Sequence, residues 1–312
     1  MSAHHHDHHA HSHHHGHAHG APRTARAFAI GVVLNFGFVV IGLGAGIFAH
    51  SMALVADAAH NFGDVLGLAF AGMAARLARA KPSARRTYGF RSSTILAALA
   101  NAMILLVGVG VVAREAIVRL QQPEEVRAPI VIAVAALGVV VNAGSALLFL
   151  KDRRDDINVR GAFLHLVGDA AVSFAVVVAA IVIVLTGWAW VDSVASLGVT
   201  FVILIGTWSL LRTSVNLALN AVPVGIDPDA VRAYLGGQAG VLELHDLHIW
   251  AISTTETALT AHLVMTTGSC APHFLRDVGR ELTAKFRIHH ATLQVEHPDA
   301  PDPCTLAPPD VV

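Results

Sequence analysis

Six apolar stretches, at approximately residues 27–49, 52–77, 92–114, 129–150, 159–186 and 189–211, follow one another between short polar breaks. A helix needs about 20 apolar residues to cross the hydrocarbon core of a bilayer, so each stretch predicts a transmembrane helix. After Arg212 the pattern changes. Residues 213–226 read as a connector with Pro223, and the remainder is of soluble type. Asp227 to about Leu235 predicts a helix, with Asp227 as N-cap and Pro228 at the first position. Residues 241–252 and 257–265 predict strands joined by the polar turn 253–256, and residues 291–296 predict a third strand. Residues 272–286 predict an amphipathic helix, with Phe274, Leu275, Val278, Leu282 and Phe286 on one side.

The expected fold is thus an α-helical membrane protein, six transmembrane helices followed by a cytoplasmic ferredoxin-like α+β domain of order αββαβ. The predicted division is a disordered histidine-rich tail at 1–22, a six-helix domain at 23–212, a cytoplasmic domain at 213–300, and a Pro-rich tail at 301–312.

Composition agrees with a chain that lives mostly in lipid: 54% of residues are hydrophobic and 14% charged, against about 25% charged in an ordinary soluble domain. A net charge of −1 supplies no general basic field and argues against a nucleic-acid partner. The only two cysteines, Cys270 and Cys304, form neither a disulfide framework nor a CxxC knuckle. Any metal site is therefore expected to rest on histidine and carboxylate. A polar histidine-rich stretch, not a short basic region, precedes the first span, so no cleavable signal is expected.

Loop charge sets the expected orientation. Arg23 and Arg26 precede the first span; Arg76, Arg79, Lys81, Arg85, Arg86 and Arg91 lie between the second and third; Lys151, Arg153, Arg154 and Arg160 lie between the fourth and fifth. The alternate loops are poorer in Lys and Arg or balanced by glutamate. Both termini are expected in the cytoplasm, and the expected location is a bacterial inner membrane.

Against this apolar background, His60-Asn-Phe-Gly-Asp64 and His165-Leu-Val-Gly-Asp169 each place an imidazole and a carboxylate one turn apart on one helix face. Ionisable groups at membrane depth are costly and usually serve ions or protons. A single pair could be an interhelical hydrogen-bonded contact. The same spacing in two separate spans points instead to four ligands of mixed nitrogen and oxygen character, a set suited to tetrahedral zinc. Asp57 lies on the face of Asp64 and reads equally as an ion relay or as a hydrogen-bond partner. Asp192, beside Trp188 and Trp190, reads as an interfacial anchor.

Two further histidine populations flank the spans. The first twenty residues hold eleven histidines in irregular clusters, a composition that binds metal loosely and whose alternative reading is a purification tag. The C-terminal part carries His245, His248, His262, His273, His289, His290 and His297, with Asp246 and Asp299. That density suits a metal site, although no two residues show a fixed spacing such as HExxH.

With these features in place the chain resembles the cation diffusion facilitator family, zinc-exporter branch, from about residue 27 to 299. Residues 51–64 resemble the family's second helix, Thr87-Tyr-Gly-Phe-Arg91 the start of its third, and 161–169 its fifth. His245-Asp-Leu-His-Ile-Trp250 and Thr257-Ala-Leu-Thr-Ala-His262 resemble its cytoplasmic domain. The resemblance implies a homodimer exchanging cytoplasmic zinc for protons by alternating access, with Cd2+ or Co2+ as alternative cargoes. It implies that His60, Asp64, His165 and Asp169 form the transport site. It also implies that His245, His262, His297 and Asp299 hold structural zinc near the dimer interface, with His273 as a further ligand. Residues 77–91 lack the histidine that some relatives carry there, and Ser92-Ser93-Thr94 stands where many continue with glutamate. A membrane metalloenzyme and a non-transporting zinc sensor are the rival readings. The first needs a spare general base near the metal, and no glutamate is available for that role within a span.

Overall fold

The structure, a computed structural model, describes residues 21–150, 157–266, 273–298, 304 and 306, with side chains from residue 32 in the first helix and from residue 159 in the fifth. The predicted positions 1–20, Lys151, Arg153, Arg154, Cys270, Asp299 and most of the Pro-rich tail lie outside the described residues. Six long helices come first: α1 (Ala21–Phe48), α2 (Met52–Ala78), α3 (Ser93–Gln121), α4 (Ala128–Phe149), α5 (Ile157–Thr186) and α6 (Trp190–Ala218). Among the described residues, α3, α4, Val159–Thr186 of α5, and α6 are long and apolar enough to cross a membrane. The described side chains of α1 cover only the shorter stretch Val32–Phe48. In α2, Asp57, His60, Asn61 and Asp64 interrupt the apolar run.

Helices α3 and α6 run seven residues beyond their expected ends. The extra turns, Glu115–Gln121 and Arg212–Ala218, mix Glu115, Arg119, Arg212 and Asn216 among apolar residues, so the apolar run ends before the helical hydrogen bonding does. Large apolar side chains, including Val40, Val107, Leu185 and Phe201, point outward from the bundle. Exposed apolar area of this kind marks a surface that is covered by something other than water. Inside, α4 packs along α5 and α3 along α6, while α2 touches α1, α3, α5 and α6. The helix that carries the first His/Asp pair is thus the one surrounded by the others.

The C-terminal unit comprises α7 (Pro228–Gly236), β1 (Val241–Ala251), β2 (Thr257–Met265), α8 (Phe274–Phe286) and β3 (Ile288–Glu296). Its sheet has the order β1-β2-β3, with β1 antiparallel and β3 parallel to β2. The parallel pair needs a crossover, which α8 supplies. Asp227 caps α7 by accepting from the amides of Asp229 and Ala230 at 2.9 and 3.3 Å. Val231, Leu235, Leu259, Leu263, Met265, Val278, Leu282 and Ile288 fill one core between the helices and the sheet. The third strand starts at Ile288, three residues before its expected start. His289 and His290 masked it in the sequence, yet Ile288 is wholly buried and pairs with Thr257.

The two units meet at the base of α2 and α3. Arg91 pairs with Glu256 of the β1–β2 turn, Ser92 Oγ donates to the Ile252 carbonyl at 3.2 Å, and the Thr254 amide donates to Thr94 Oγ1 at 3.0 Å. Ser93 Oγ donates to the Ala74 carbonyl at 3.1 Å and ties α3 to α2. Ser92 and Thr94 therefore supply the hydroxyls of this junction.

Candidate metal centre

His60 and Asp64 project from α2 toward α5, which presents His165 and Asp169 from the same spacing. The pairs interlock. His60 Nε2 lies 3.3 Å from Asp169 Oδ1, and His165 Nε2 lies 3.3 Å from Asp64 Oδ2 and 3.6 Å from Asp169 Oδ2. The contact within α2 is longer, 3.9 Å from His60 Nδ1 to Asp64 Oδ2. The imidazole rings are 6.0 Å apart and nearly perpendicular. One potential ligand atom from each of His60, Asp64 and Asp169 falls within 4.8 Å of the others. His165 borders both carboxylates from the side, with half of its side chain exposed.

Two oxygens decide what this arrangement suits. Asp64 Oδ2 and Asp169 Oδ2 are buried with no hydrogen-bond partner among the described residues. Carboxylate oxygens from two helices, held together in apolar surroundings, call for a cation or for protonated imidazoles between them.

Beside the centre, α2 also approaches α3 closely. Gly63 stands beside Asp64, and a Cβ there would lie 2.0 Å from Leu105 Cδ2 of α3. Around the centre, Asp57 is fully buried and accepts from Ser173 Oγ at 2.7 Å and Asn61 Nδ2 at 3.3 Å. Asp57 thus joins α2 to α5 one turn beyond the site. Asp192 corrects the interfacial reading: it is buried and accepts from Ser51 Oγ, the Met52 amide and the Ala53 amide. Trp188 and Trp190, stacked at 5.8 Å and exposed, occupy the interfacial position that Asp192 does not.

Cavities adjoin the centre on more than one side: one of about 180 Å3 is lined by His60, Gly63, Val112, Thr200 and Ile203, between α2, α3 and α6. A cavity of about 340 Å3 is lined by Asp64, His165, Asn35, Gly67 and Asn101. Gly67 and Asn101 also line a cavity of about 890 Å3 that runs to Arg79, Lys81, Arg91 and Glu256, at the junction with the sheet. Asn35 Oδ1 and Asn101 Oδ1 are buried and without a hydrogen-bond partner among the described residues. Neither asparagine was singled out in the sequence, where a lone amide in an apolar span carries no spacing signal. Toward the opposite end, Ala53, Leu54, Val112, Val176, Ala180, Val199 and Ile203 form a continuous apolar core.

A second group lies on the sheet. His245 and His262 face each other across β1 and β2, with rings 5.3 Å apart. Glu296 reaches both: Oε1 is 2.9 Å from His262 Nδ1, and Oε2 is 3.3 Å from His245 Nε2. Cys304 Sγ lies 3.4 Å from His262 Nδ1. Asp246, in a bulge of β1 at φ 49°, lies 2.8 Å from His248 Nε2 and 3.5 Å from His262 Nε2. Of the residues expected in this group, the structure joins His245 and His262 and leaves His273 and His297 exposed and outside it. Strand alternation gives the reason for His297. Gln294 is the register partner of His262, so Glu296 shares that face and His297 turns from it. Glu296 and Cys304 were not anticipated, because a strand-end glutamate and a single cysteine carry no motif.

Comparison with known proteins covers most of the chain. The family profile described as "Cation efflux transmembrane domain" matches residues 28–217. A second, described as "Cation efflux protein, cytoplasmic domain", matches residues 223–298. The Metal cation efflux system protein CzcD of Cupriavidus metallidurans is 35% identical over 273 residues, covering 87% of this chain and 86% of that protein. The Cadmium, cobalt and zinc/H(+)-K(+) antiporter of Bacillus subtilis is 32% identical, covering 86% and 87%. Zinc transporter ZitB of Escherichia coli is also 32% identical, covering 86% of each chain.

Proposed function

The chain belongs to the cation efflux family, and from that premise we propose that it exports zinc from the cytoplasm in exchange for protons. It is an integral membrane transporter and not an enzyme. The cargo site is His60, Asp64, His165 and Asp169. All six helices α1–α6 cross a bacterial inner membrane, both termini lie in the cytoplasm, and the sheet unit pairs with that of a second copy.

The observation that carries this reading is the convergence of Asp64 Oδ2 and Asp169 Oδ2, neither of them hydrogen-bonded among the described residues, on two histidines beside a cavity. Two nitrogens and two carboxylate oxygens suit tetrahedral zinc, and also admit Cd2+ and Co2+. Loading requires neutral imidazoles and ionised carboxylates, so it expels protons. Histidine, ordinarily titrating near pH 6.5, makes that exchange possible close to cellular pH. The larger cavities, of about 340 and 890 Å3, lie toward the sheet and support an inward-facing state. Outward opening to a more acidic space returns protons and releases zinc, with the helices rocking about a fixed site. The sheet unit holds a resident zinc on His245 and His262: the Glu296 carboxylate lies beside both rings, and neither ring nitrogen of the buried His245 has a hydrogen-bond partner among the described residues.

Zinc uptake into proteoliposomes under an imposed pH gradient tests the proposal. Uptake should follow the gradient and collapse when a protonophore dissipates it. Zinc binding without flux would mark a sensor, and gradient-independent flux would remove the proton from the cycle.

A further inference from the structure

We propose that the cavity between the sheet-side ends of α2 and α3 binds an anionic phospholipid, its phosphate held by Arg79, Lys81 and Arg91. The proposal goes beyond the exchange of zinc for protons, and binding alone tests it.

Charge gives the first indication. Arg79, Lys81 and Arg91 line the cavity of about 890 Å3, and Glu256 is the single carboxylate among its lining residues. Glu256 is already paired with Arg91. Arg79 and Lys81 have no ion-pair partner among the described residues. The preference of Lys and Arg for the cytoplasmic side accounts for the sign of these charges. It does not account for three of them bordering one concavity. An excess of cations at the sheet-side mouth of a passage for Zn2+ opposes loading, and a bound phosphate offsets that repulsion.

The walls give the second indication and separate a lipid from free phosphate. Ala71, Ala75, Ala97, Ala98 and Leu210, from α2, α3 and α6, line the part of the cavity that runs into the helices. Small side chains on two neighbouring helices leave a slot for an acyl chain, with the cations at its sheet-side end. Free phosphate would engage the cations and leave this apolar wall uncovered, whereas a phospholipid covers both. Basic pockets between transmembrane helices on the cytoplasmic side are suited to anionic lipid headgroups for this reason.

The rim is also preorganised. Arg79 caps α2, its amide donating to the Arg76 and Leu77 carbonyls. Ser83 and Arg86 exchange backbone hydrogen bonds of 3.0 and 3.1 Å. Gly89, at φ 67°, lies against Ala80 and Pro82, and a Cβ there would stand 3.2 Å from the Ala80 carbonyl oxygen. The loop therefore folds back on itself and fixes where Lys81 stands. On the other side, Thr94 of α3 and Ser253, Thr254 and Thr255 of the β1–β2 turn complete the lining with polar groups.

Native mass spectrometry of the full-length protein in detergent, without added zinc, tests the proposal with phosphatidylglycerol as probe. One phosphatidylglycerol per protomer should be retained at concentrations where phosphatidylcholine of equal chain length is not. Each cation near a lipid phosphate is worth roughly fivefold in affinity, so the double substitution Arg79→Gln with Lys81→Gln should weaken retention roughly 25-fold. Arg160→Gln removes a cation of α5 that does not line this cavity and should leave retention unchanged. An unaltered melting temperature of the double variant separates lost binding from lost folding. Equal retention of the two lipids, or parent-like retention in the double variant, would overturn the proposal. Displacement of the lipid by inorganic phosphate that binds equally tightly would assign the cations to free phosphate and overturn it too. None of these readings involves zinc flux, so failure here leaves the exchange of zinc for protons untouched.

Discussion

Asp192 of α6 closes the first turn of α2 through Ser51. One carboxylate oxygen accepts from Ser51 Oγ at 2.5 Å, and the other accepts from the Met52 and Ala53 amides at 2.6 and 3.3 Å. Ser51 Oγ in turn accepts from the Leu54 amide at 3.2 Å. The first amides of any helix lack intrahelical partners, and a negative charge there also complements the helix dipole. The helix carrying His60 and Asp64 is therefore anchored at the end far from the sheet.

Asp192→Ala should destabilise the protein by about 1–3 kcal/mol, the usual cost of leaving buried donors unsatisfied. Asp192→Asn, which keeps an acceptor, should cost less. Thermal unfolding in detergent ranks the two, and equal midpoints for both variants and the parent chain would refute the anchoring role.

Asp64→Ala and Asp169→Ala should each abolish zinc flux while leaving the folded protein intact. Each removes a carboxylate shared between α2 and α5. Parent-like flux in either variant, at normal expression, would sink the four-ligand site. His60→Asp exchanges a nitrogen ligand for a harder oxygen and should let cadmium compete better with zinc. The ratio of zinc to cadmium uptake rates measures this, and an unchanged ratio would locate selectivity outside the ligand set.

Gly63→Ala should strain the contact between α2 and α3, because its Cβ would fall 2.0 Å from Leu105 Cδ2. Overpacking of this kind costs about 1–3 kcal/mol. The double substitution Gly63→Ala with Leu105→Ala should recover part of the lost melting temperature and flux. Additive losses would show that the glycine serves something other than this approach.

Arg91→Gln and Glu256→Gln should each loosen the junction between α3 and the β1–β2 turn. The pair is more than a third exposed on the arginine side, so its coupling in a double-mutant cycle should be small, roughly 0.2–1 kcal/mol. Hydrogen exchange at Thr254 and Thr255 should rise in either variant. Unchanged exchange would show that Ser92 and Thr94 hold the junction without the ion pair.

Deleting residues 2–20 should raise the half-saturating zinc concentration modestly and leave the maximal rate nearly unchanged, because loose imidazole clusters gather ions without forming one closed site. The difference should shrink near pH 6, where protonated histidine binds metal poorly. A fall in maximal rate at neutral pH would contradict a gathering role.

The α-helical membrane class, the αββαβ order and the family could be read from the chain alone because each is written in local periodicity. Apolar runs of bilayer length, the alternation of β2 and the amphipathic stripe of α8 need no tertiary partner to be recognised. The repeated His-x-x-x-Asp spacing was visible for the same reason: it places two groups on one helix face whatever surrounds them. Boundaries were less legible where polar residues interrupt the apolar run before a helix ends, as in Arg212–Ala218, or disguise a strand start, as His289 and His290 do after Ile288.

Tertiary structure alone decided which long-range partners each polar residue meets. Asp192 reads as an interfacial residue until α6 is laid against α2 and its carboxylate finds Ser51 and two amides. Asn35 and Asn101 become part of an access route only when α1, α2, α3 and α5 surround a common cavity. On the sheet, the parallel pairing of β3 with β2 sets Glu296, and not His297, beside His262, and Cys304 Sγ lies against the same ring. These outcomes depend on register, helix packing and chain reversal between residues far apart in sequence. Local composition and spacing establish what a residue can do chemically; packing determines which other residues it does it with.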